Sequence, residues 1–378
     1  YIGYPATGFV IIILLVTLSY SLVNSLLTGL HLVHIQGILN TVRTTTRSFL
    51  QIMAVYFGLN ISGLFIGHIA GFAVVSLIGI YFVTKTTLEF RLPNRQNFSS
   101  LLNFAKFSWL GTLRSQMYSY TDIIVLGFFV PSALVGVYSA AWNISTFLIL
   151  FSGSLRSTLF PEISELTTEQ DTQAASRIVE QSLTFGGLFL IPGLLGGAIL
   201  GERILRIYGP EFTQGALILV ILIMANLLMG YQTQFLNTLN AVDHPDSAFR
   251  VNAVFVGANL ILNVVLVSQY GWVGAAVATT ASVAISLVMG YYLVSQIIDF
   301  SVPLKEIGKQ WAAALIMALV VSGGLYVENT YRLLSHNIAT VLLLVGVGAA
   351  VYFLVLLGLS TEFREVVQRN APDRLPFV

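Results

Sequence analysis

Apolar runs of roughly twenty residues recur along the whole chain, each long enough to cross a hydrocarbon layer of about 30 Å. Nothing else constrains the fold as strongly. Inside a bilayer every backbone N–H and C=O must be satisfied by the protein itself, and uninterrupted apolar runs of this length do that as helices. The composition agrees: of 378 residues, 56% are hydrophobic and only 9% charged, against about a quarter charged in ordinary soluble domains. The fold class is all-α, a polytopic membrane protein. With no Cys, disulfides, thiolate metal sites and a catalytic thiol are excluded.

Eleven spans can be drawn, at 7–30, 48–67, 69–83, 107–130, 133–155, 178–200, 217–241, 251–268, 272–297, 311–326 and 338–359. The second and third are separated only weakly, the punctuation in that region being Gly58 to Asn60. The loops between spans are short: Gln269 to Gly271 is a tight turn, and no connection is long enough to fold as a catalytic domain. No phosphate-binding glycine loop, nucleophile elbow or paired-carboxylate motif is present. Whatever the chain does, it does among its helices, and it is expected to be no enzyme.

Lys and Arg orient the spans, because cytoplasmic loops are enriched in them. Of eighteen, fourteen (Arg43 and Arg47 among them) fall in one set of alternate loops, three (Arg203, Arg206 and Arg332) in the other, and Arg114 within a span. The C-terminus is therefore expected in the cytoplasm and Tyr1 outside. Since the chain starts without Met or a signal segment, an odd number of leading spans is expected upstream.

The stretch 101–166 carries the chemistry that stands out. Arg114, Tyr118 and Asp122 follow one another at i, i+4 and i+8 on one helix face. An ionised group at the bilayer centre costs about 2.5 to 3.5 kcal/mol on the insertion scale, so both charges are expected to face a polar cavity or a partner. For Arg114 the two readings are a contact to an anionic ligand and a side chain snorkelling to the headgroups; for Asp122 they are a coupling-ion or gating carboxylate and an interhelical hydrogen bond.

Amides form two further stripes. Asn226, Gly230, Gln234, Asn237 and Asn240 share one face of the span 217–241, and Asn252, Asn259 and Asn263 share one face of the next. Amides donate and accept, so such faces suit a cavity for hydroxyl-rich cargo; hydrogen bonding between helices is the alternative for each single Asn. Small residues four apart, Gly193, Gly197 and Gly201, then Gly274, Ala278 and Ser282, read as packing stripes. Pro192 is expected to bend its span. His68 is a lone intramembrane histidine, read as structural.

Several segments together resemble a known family. These are "YTDIIVLGFF" (120–129), "VGVYSAAWNIS" (135–145), "LFPEISEL" (159–166), "IYGPEF" (207–212), "LNTLNAVDHP" (236–245), "NLILNVVLV" (259–267) and "YGWVGAAVAT" (270–279). Their order and spacing resemble the polysaccharide and lipid-linked oligosaccharide flippases of the multidrug/oligosaccharidyl-lipid/polysaccharide exporter superfamily, the O-antigen flippases among them. Asp122, Gly136, Tyr138, Ala141, Pro161 and Ser164 fall on that pattern.

The resemblance implies two six-helix lobes around a central cavity plus two C-terminal helices. On that frame residues 1–106 are what remains of a first lobe lacking its first three helices, 107–300 the second lobe, and 301–378 the additional helices and a cytoplasmic tail. It further implies alternating access in the cell membrane, carrying a polyprenyl-diphosphate glycan to the outer leaflet. Arg114 would then meet the diphosphate, and amides the sugar hydroxyls. The expected partners are the lipid-linked glycan and membrane lipids, with a coupling cation as one role for Asp122; no cofactor, metal site or nucleic acid is expected. Where a peptidoglycan-precursor flippase has a basic residue after the tyrosine turn, this chain has Ala141, Trp142 and Asn143, which favours a polysaccharide or glycoprotein-glycan cargo. A cation-coupled multidrug exporter of the same superfamily is the alternative function, and a membrane glycan polymerase or ligase a third.

Overall fold

The structure is a computed structural model that describes residues 4–30, 32–86, 95, 98–99, 102, 120–166, 172–242, 244–331, 334 and 336–370. Every described element is helical. Its contacts divide the chain into two units, 1–104 and 105–378.

The first unit contains α1 (Tyr4–Gly29), α2 (Val33–Tyr56) and α3 (Asn60–Thr86). The turn between α2 and α3 is made at Gly58 and Asn60, both with positive φ (80° and 45°), a conformation Gly adopts freely and Asn more readily than other residues. This turn corrects the second and third spans of the sequence reading. They do not run 48–67 and 69–83; α3 takes 60–86 whole, and the segment before the turn belongs to α2. Arg43 and Arg47, assigned above to a loop, therefore lie inside a 24-residue helix. Hydropathy hid α2 because one of its faces is polar: Gln36, Asn40, Arg43, Arg47 and Gln51 recur at helical spacing. Its opposite face exposes Ile38, Phe49, Ile52 and Tyr56. Glycines on α3 let α2 lie against it: a Cβ on Gly67 would come within 2.7 Å of the Gln51 backbone nitrogen. Val23, Leu27, Leu39, Val75 and Val83 close the core of this unit.

The second unit begins, among described residues, with α4 (Tyr120–Phe129). It continues with α5 (Ser132–Leu166), α6 (Thr172–Gly186), α7 (Leu190–Leu205), a 3-10 turn at Pro210–Gly215, α8 (Ala216–Ala241), α9 (Pro245–Ser295), α10 (Leu304–Tyr331), α11 (Asn337–Leu359) and α12 (Thr361–Asn370). The bend expected from Pro192 is found one turn earlier, where residues 187–189 separate α6 from α7. Proline lacks the N–H that would bond the Leu188 carbonyl and its ring would strike that carbonyl, so the chain breaks there.

The 51 residues of α9 form two arms folded at Gly271 (φ 59°, ψ −138°), at the tight turn expected from the sequence. Gly274 is required by this fold-back, because a Cβ there would overlap the Leu266 carbonyl of the other arm. The Gly193, Gly197 and Gly201 stripe proves to be a packing surface: added side chains would meet Leu148 of α5 and Ile223 and Leu219 of α8. A single apolar core joins α4, α5, α7, α8, α10 and α11, so the last two long helices share the interior of the second unit.

Eight described helical stretches are long and apolar enough to span a membrane, the stretch Asp246–Ser295 containing the Gly271 fold. Helices α2 and α4 stand outside that group, α2 through its polar face and α4 because only ten of its residues are described. The protein is all-α and polytopic.

Candidate functional site

Asp122 is the centre of a closed polar cluster in the second unit. The helical register of α4 turns Asp122 inward together with Val125 and Leu126, leaving the Asp122 residue 6% exposed. Its Oδ2 accepts hydrogen bonds from the Tyr138 hydroxyl of α5 at 2.6 Å and the Thr279 hydroxyl of the second α9 arm at 2.7 Å. Its Oδ1 accepts from Asn263 Nδ2 of the first arm at 2.8 Å. Asn259, one turn before Asn263, donates to Thr279 Oγ1 at 3.1 Å and so orients the hydroxyl that serves the carboxylate. Each of these four donors is less than a tenth exposed. Three direct hydrogen bonds hold the Asp122 carboxyl group here, with no cationic partner among the described residues.

The geometry depends on the Gly271 fold. Asn263 and Thr279 are sixteen positions apart in sequence, and a straight α9 would put them about 24 Å apart along the axis. Folding the helix back brings both to one carboxylate. Asn263 Oδ1 faces inward without a hydrogen-bond partner, an acceptor left over in the cluster.

The other residues singled out in the sequence divide. Arg114 and Tyr118 lie outside the described residues. Asn259 and Asn263 do share a face, but their amide donors are taken up by the Asp122 cluster rather than left open to a cavity. Asn252 donates to the Ala248 carbonyl of its own helix. On α8, Gln234 and Asn237 are half-buried, and Asn240 is exposed and bonded back to the Leu236 carbonyl. Asn226 is 1% exposed, and neither amide atom has a partner. The α8 amide that does fasten α8 to α9 is one the stripe omitted: Gln232 donates to Ser286 Oγ at 2.6 Å. Gln232 lies off the Asn226 stripe by helical angle, and only its presence within an apolar run could have marked it.

The first unit has a polar cluster of opposite sign. Arg43 of α2 lies between two rings, its guanidinium carbon 4.9 Å from the Tyr20 ring of α1 and 4.8 Å from the Phe72 ring of α3. One of its terminal nitrogens donates to Asn40 Oδ1 at 2.7 Å. Arg47 follows one turn later with its backbone against Gly71. His68 stacks on Phe72 at 4.5 Å, within electrostatic reach of both guanidiniums. The Nε atoms of Arg43 and Arg47 are buried and unpartnered.

Membrane-length helices with ionisable groups held among them define a polytopic membrane protein. Comparison with known proteins gives its family. A family model described as the lipid II flippase MurJ matches residues 9–345, and the chain belongs to that family. It is a multi-pass membrane flippase, a transporter and not an enzyme. AglR of Haloferax volcanii, a probable flippase, is 33% identical over 378 residues, covering 99% of this chain and 78% of that one. Agl15 of the same organism, a probable low-salt glycan biosynthesis flippase, is 31% identical over 286 residues, 75% of this chain and 60% of that one. A solved lipid II flippase MurJ in its inward closed conformation shares the fold, with a TM-score of 0.73 at 17% identity over 93% of this chain and 72% of that one.

Proposed function

We propose that the protein carries a lipid-linked oligosaccharide, a glycan on a polyprenyl diphosphate, from the cytoplasmic to the outer leaflet of the cell membrane for surface polysaccharide or glycoprotein-glycan synthesis. The observation that carries this reading is the extended likeness to a relative named for glycan biosynthesis, Agl15. The residues at 141–143, which depart from the basic pattern of a peptidoglycan-precursor flippase, favour the same cargo over lipid II. The mechanism is alternating access, with the C-terminus in the cytoplasm. With Arg43 and Arg47 set apart as mid-helix residues, the Lys/Arg bias between the two sides of the spans is twelve against three, which supports that orientation.

The roles follow from the chemistry. Arg114 is the residue for the diphosphate, Tyr118 is a further candidate for the cavity, and Gln234 and Asn237, half-buried on α8, meet sugar hydroxyls. Asn226 is held in reserve on the same face, its unpartnered amide supplying both a donor and an acceptor. Asp122 is the coupling group: its carboxylate, the Tyr138 and Thr279 hydroxyls and the spare Asn263 Oδ1 form an all-oxygen set suited to a proton or a hard cation. Asn259 holds Thr279 in place for that set.

Deletion of the gene tests the cargo. Loss of surface glycan with the lipid-linked intermediate accumulating on the cytoplasmic leaflet is expected. Unimpaired glycan export in the deletion strain, accompanied by drug sensitivity, would instead favour a multidrug exporter.

A further inference from the structure

Two arginines at the end of α7 line a cavity separate from the Asp122 cluster. The cavity has a volume of about 670 Å³ and lies where the end of α7, the start of α8 and the end of α10 meet. Arg203 and Arg206 are two of the three basic residues on the side of the spans poor in Lys and Arg, so the enrichment of cations in cytoplasmic loops does not account for them. They are three apart at the last turn of α7, with Arg206 still in helical φ and ψ, and so share a face.

The neighbouring helices aim one of them. The Arg203 guanidinium donates to Asn329 Oδ1 of α10, and the Arg203 carbonyl accepts from Asn337 Nδ2 of α11 at 2.7 Å. One acceptor leaves most of the five N–H donors of a guanidinium unused. Glu202 lines the same cavity, yet no ion pair involves either arginine among the described residues. Two guanidiniums against one carboxylate leave one positive charge, which a phosphodiester balances and a diphosphate exceeds.

The lining is also graded along the helix axes. Glu202, Arg203, Arg206 and Asn329 stand at the helix ends, and about 5 Å deeper, one turn along each helix, the walls are apolar: Ile199 on α7, Val220 on α8 and Leu325 on α10. A small soluble anion would use only the charged rim. A basic rim over apolar walls, in helices of membrane length, suits an amphiphile with an anionic head and a hydrocarbon chain.

We propose that the cavity between α7, α8 and α10 binds a bilayer phospholipid of the outer leaflet. Its phosphodiester is held by Arg203 and Arg206, a hydroxyl or ammonium of its headgroup donates to Glu202, and one of its chains lies along Ile199, Val220 and Leu325. Asn329 is a positioning residue that holds the Arg203 fork. The leaflet rests on the orientation proposed above; the site itself is independent of the cargo.

Binding of phosphatidylglycerol to the purified full-length chain in a neutral maltoside detergent, read by native mass spectrometry, tests the site. Diacylglycerol is the probe without phosphate, and glycerol 3-phosphate the phosphate without chains. R203Q/R206Q is expected to weaken phosphatidylglycerol binding at least tenfold and R203K/R206K less than threefold, with diacylglycerol at least tenfold weaker than phosphatidylglycerol on the wild type. Equal affinity of wild type and R203Q/R206Q overturns the proposal. Glycerol 3-phosphate binding as tightly as the lipid overturns the phospholipid as occupant and leaves a site for free phosphate, and displacement of phosphatidylglycerol by equimolar farnesyl diphosphate overturns the preference for a phosphodiester. Should R203Q/R206Q not fold, the wild-type protein answers alone: phosphatidylglycerol should slow phenylglyoxal modification of Arg203 and Arg206 at least threefold relative to diacylglycerol, and absence of protection at both sinks the site. The leaflet is scored separately. The chain has no Cys, so Gln214→Cys, on the exposed turn between α7 and α8, gives a unique label. Reaction with a membrane-impermeant maleimide in intact cells supports the outer leaflet; reaction only after lysis overturns the orientation and leaves the lipid site standing.

Discussion

Asp122 of the second unit and the Arg43 and Arg47 pair of the first are charges set among apolar helices, and the protein treats them in opposite ways. In the second unit Asp122 has three direct donors from three helical segments and a fourth residue orienting one of them. In the first, Arg43 and Arg47 have two rings and one amide oxygen between them, and buried nitrogens remain without acceptors. Both clusters stand at helix junctions in apolar surroundings. The difference is in what is left over: the carboxylate has its valences filled by its own protein, whereas the guanidiniums have donors to spare. A filled charge fastens helices and can respond to a proton or cation that competes for its oxygens.

The largest test of this contrast is Gly274→Val. A side chain there strikes the Leu266 carbonyl, opens the α9 fold and separates Asn263 from Thr279. Loss of monodisperse protein on size exclusion is expected, and a variant with wild-type melting would show that the fold-back is not what assembles the cluster. Next comes Asp122→Leu, which leaves the Tyr138 and Thr279 hydroxyls and an Asn263 donor without their shared acceptor. A loss of about 2 to 4 kcal/mol is expected, read as a lower thermal midpoint in detergent. Asp122→Asn, which retains one oxygen, should lose less stability, yet should abolish transport if the carboxylate is the coupling group.

Arg43→Gln reverses the expectation. Removing a cation that has no counter-charge among the described residues should change stability by no more than about 1 kcal/mol in either direction while transport falls. If the thermal midpoint drops as far as in Asp122→Leu, Arg43 is a structural tie and the contrast between the units collapses. Asn226→Leu has a still smaller expected effect on folding, neutral or stabilising by about 1 kcal/mol, because both buried amide atoms are already unpartnered. Retained glycan transport in that variant would exclude Asn226 from the cargo path. Arg250→Ala, on an exposed pair 3.7 Å from Asp246, marks the floor of the series at under about 0.5 kcal/mol.

Much of this architecture could be read from residues alone. The apolar runs gave the helices, Gln269 to Gly271 gave the α9 turn, and Pro192 gave the break between α6 and α7, one turn away from where it falls. Asp122 was legible because a carboxylate in an apolar run needs a partner. Its partners were only half legible: Asn259 and Asn263 stood out as amides and Tyr138 fell on the family pattern, but nothing marked the Tyr138 and Thr279 hydroxyls as donors to Asp122 until the fold brings them to one oxygen. Arg43 and Arg47 were missed for a different reason. Averaged hydropathy cannot distinguish a loop from a helix with one polar face, and α2 is such a helix.

The sequence by itself determined that this chain lives in a membrane as helices, roughly where they run, and that Asp122 needs an answer. Those properties follow from local composition, which sets the cost of every residue in hydrocarbon whatever its neighbours are. Only the tertiary structure decided which donors answer Asp122 and that the two arginines of α2 stand inside a helix, with no acid meeting them among the described residues. Partnership is a property of distance, and residues 16, 141 and 157 positions from Asp122 or its donors become neighbours only when helices fold against one another.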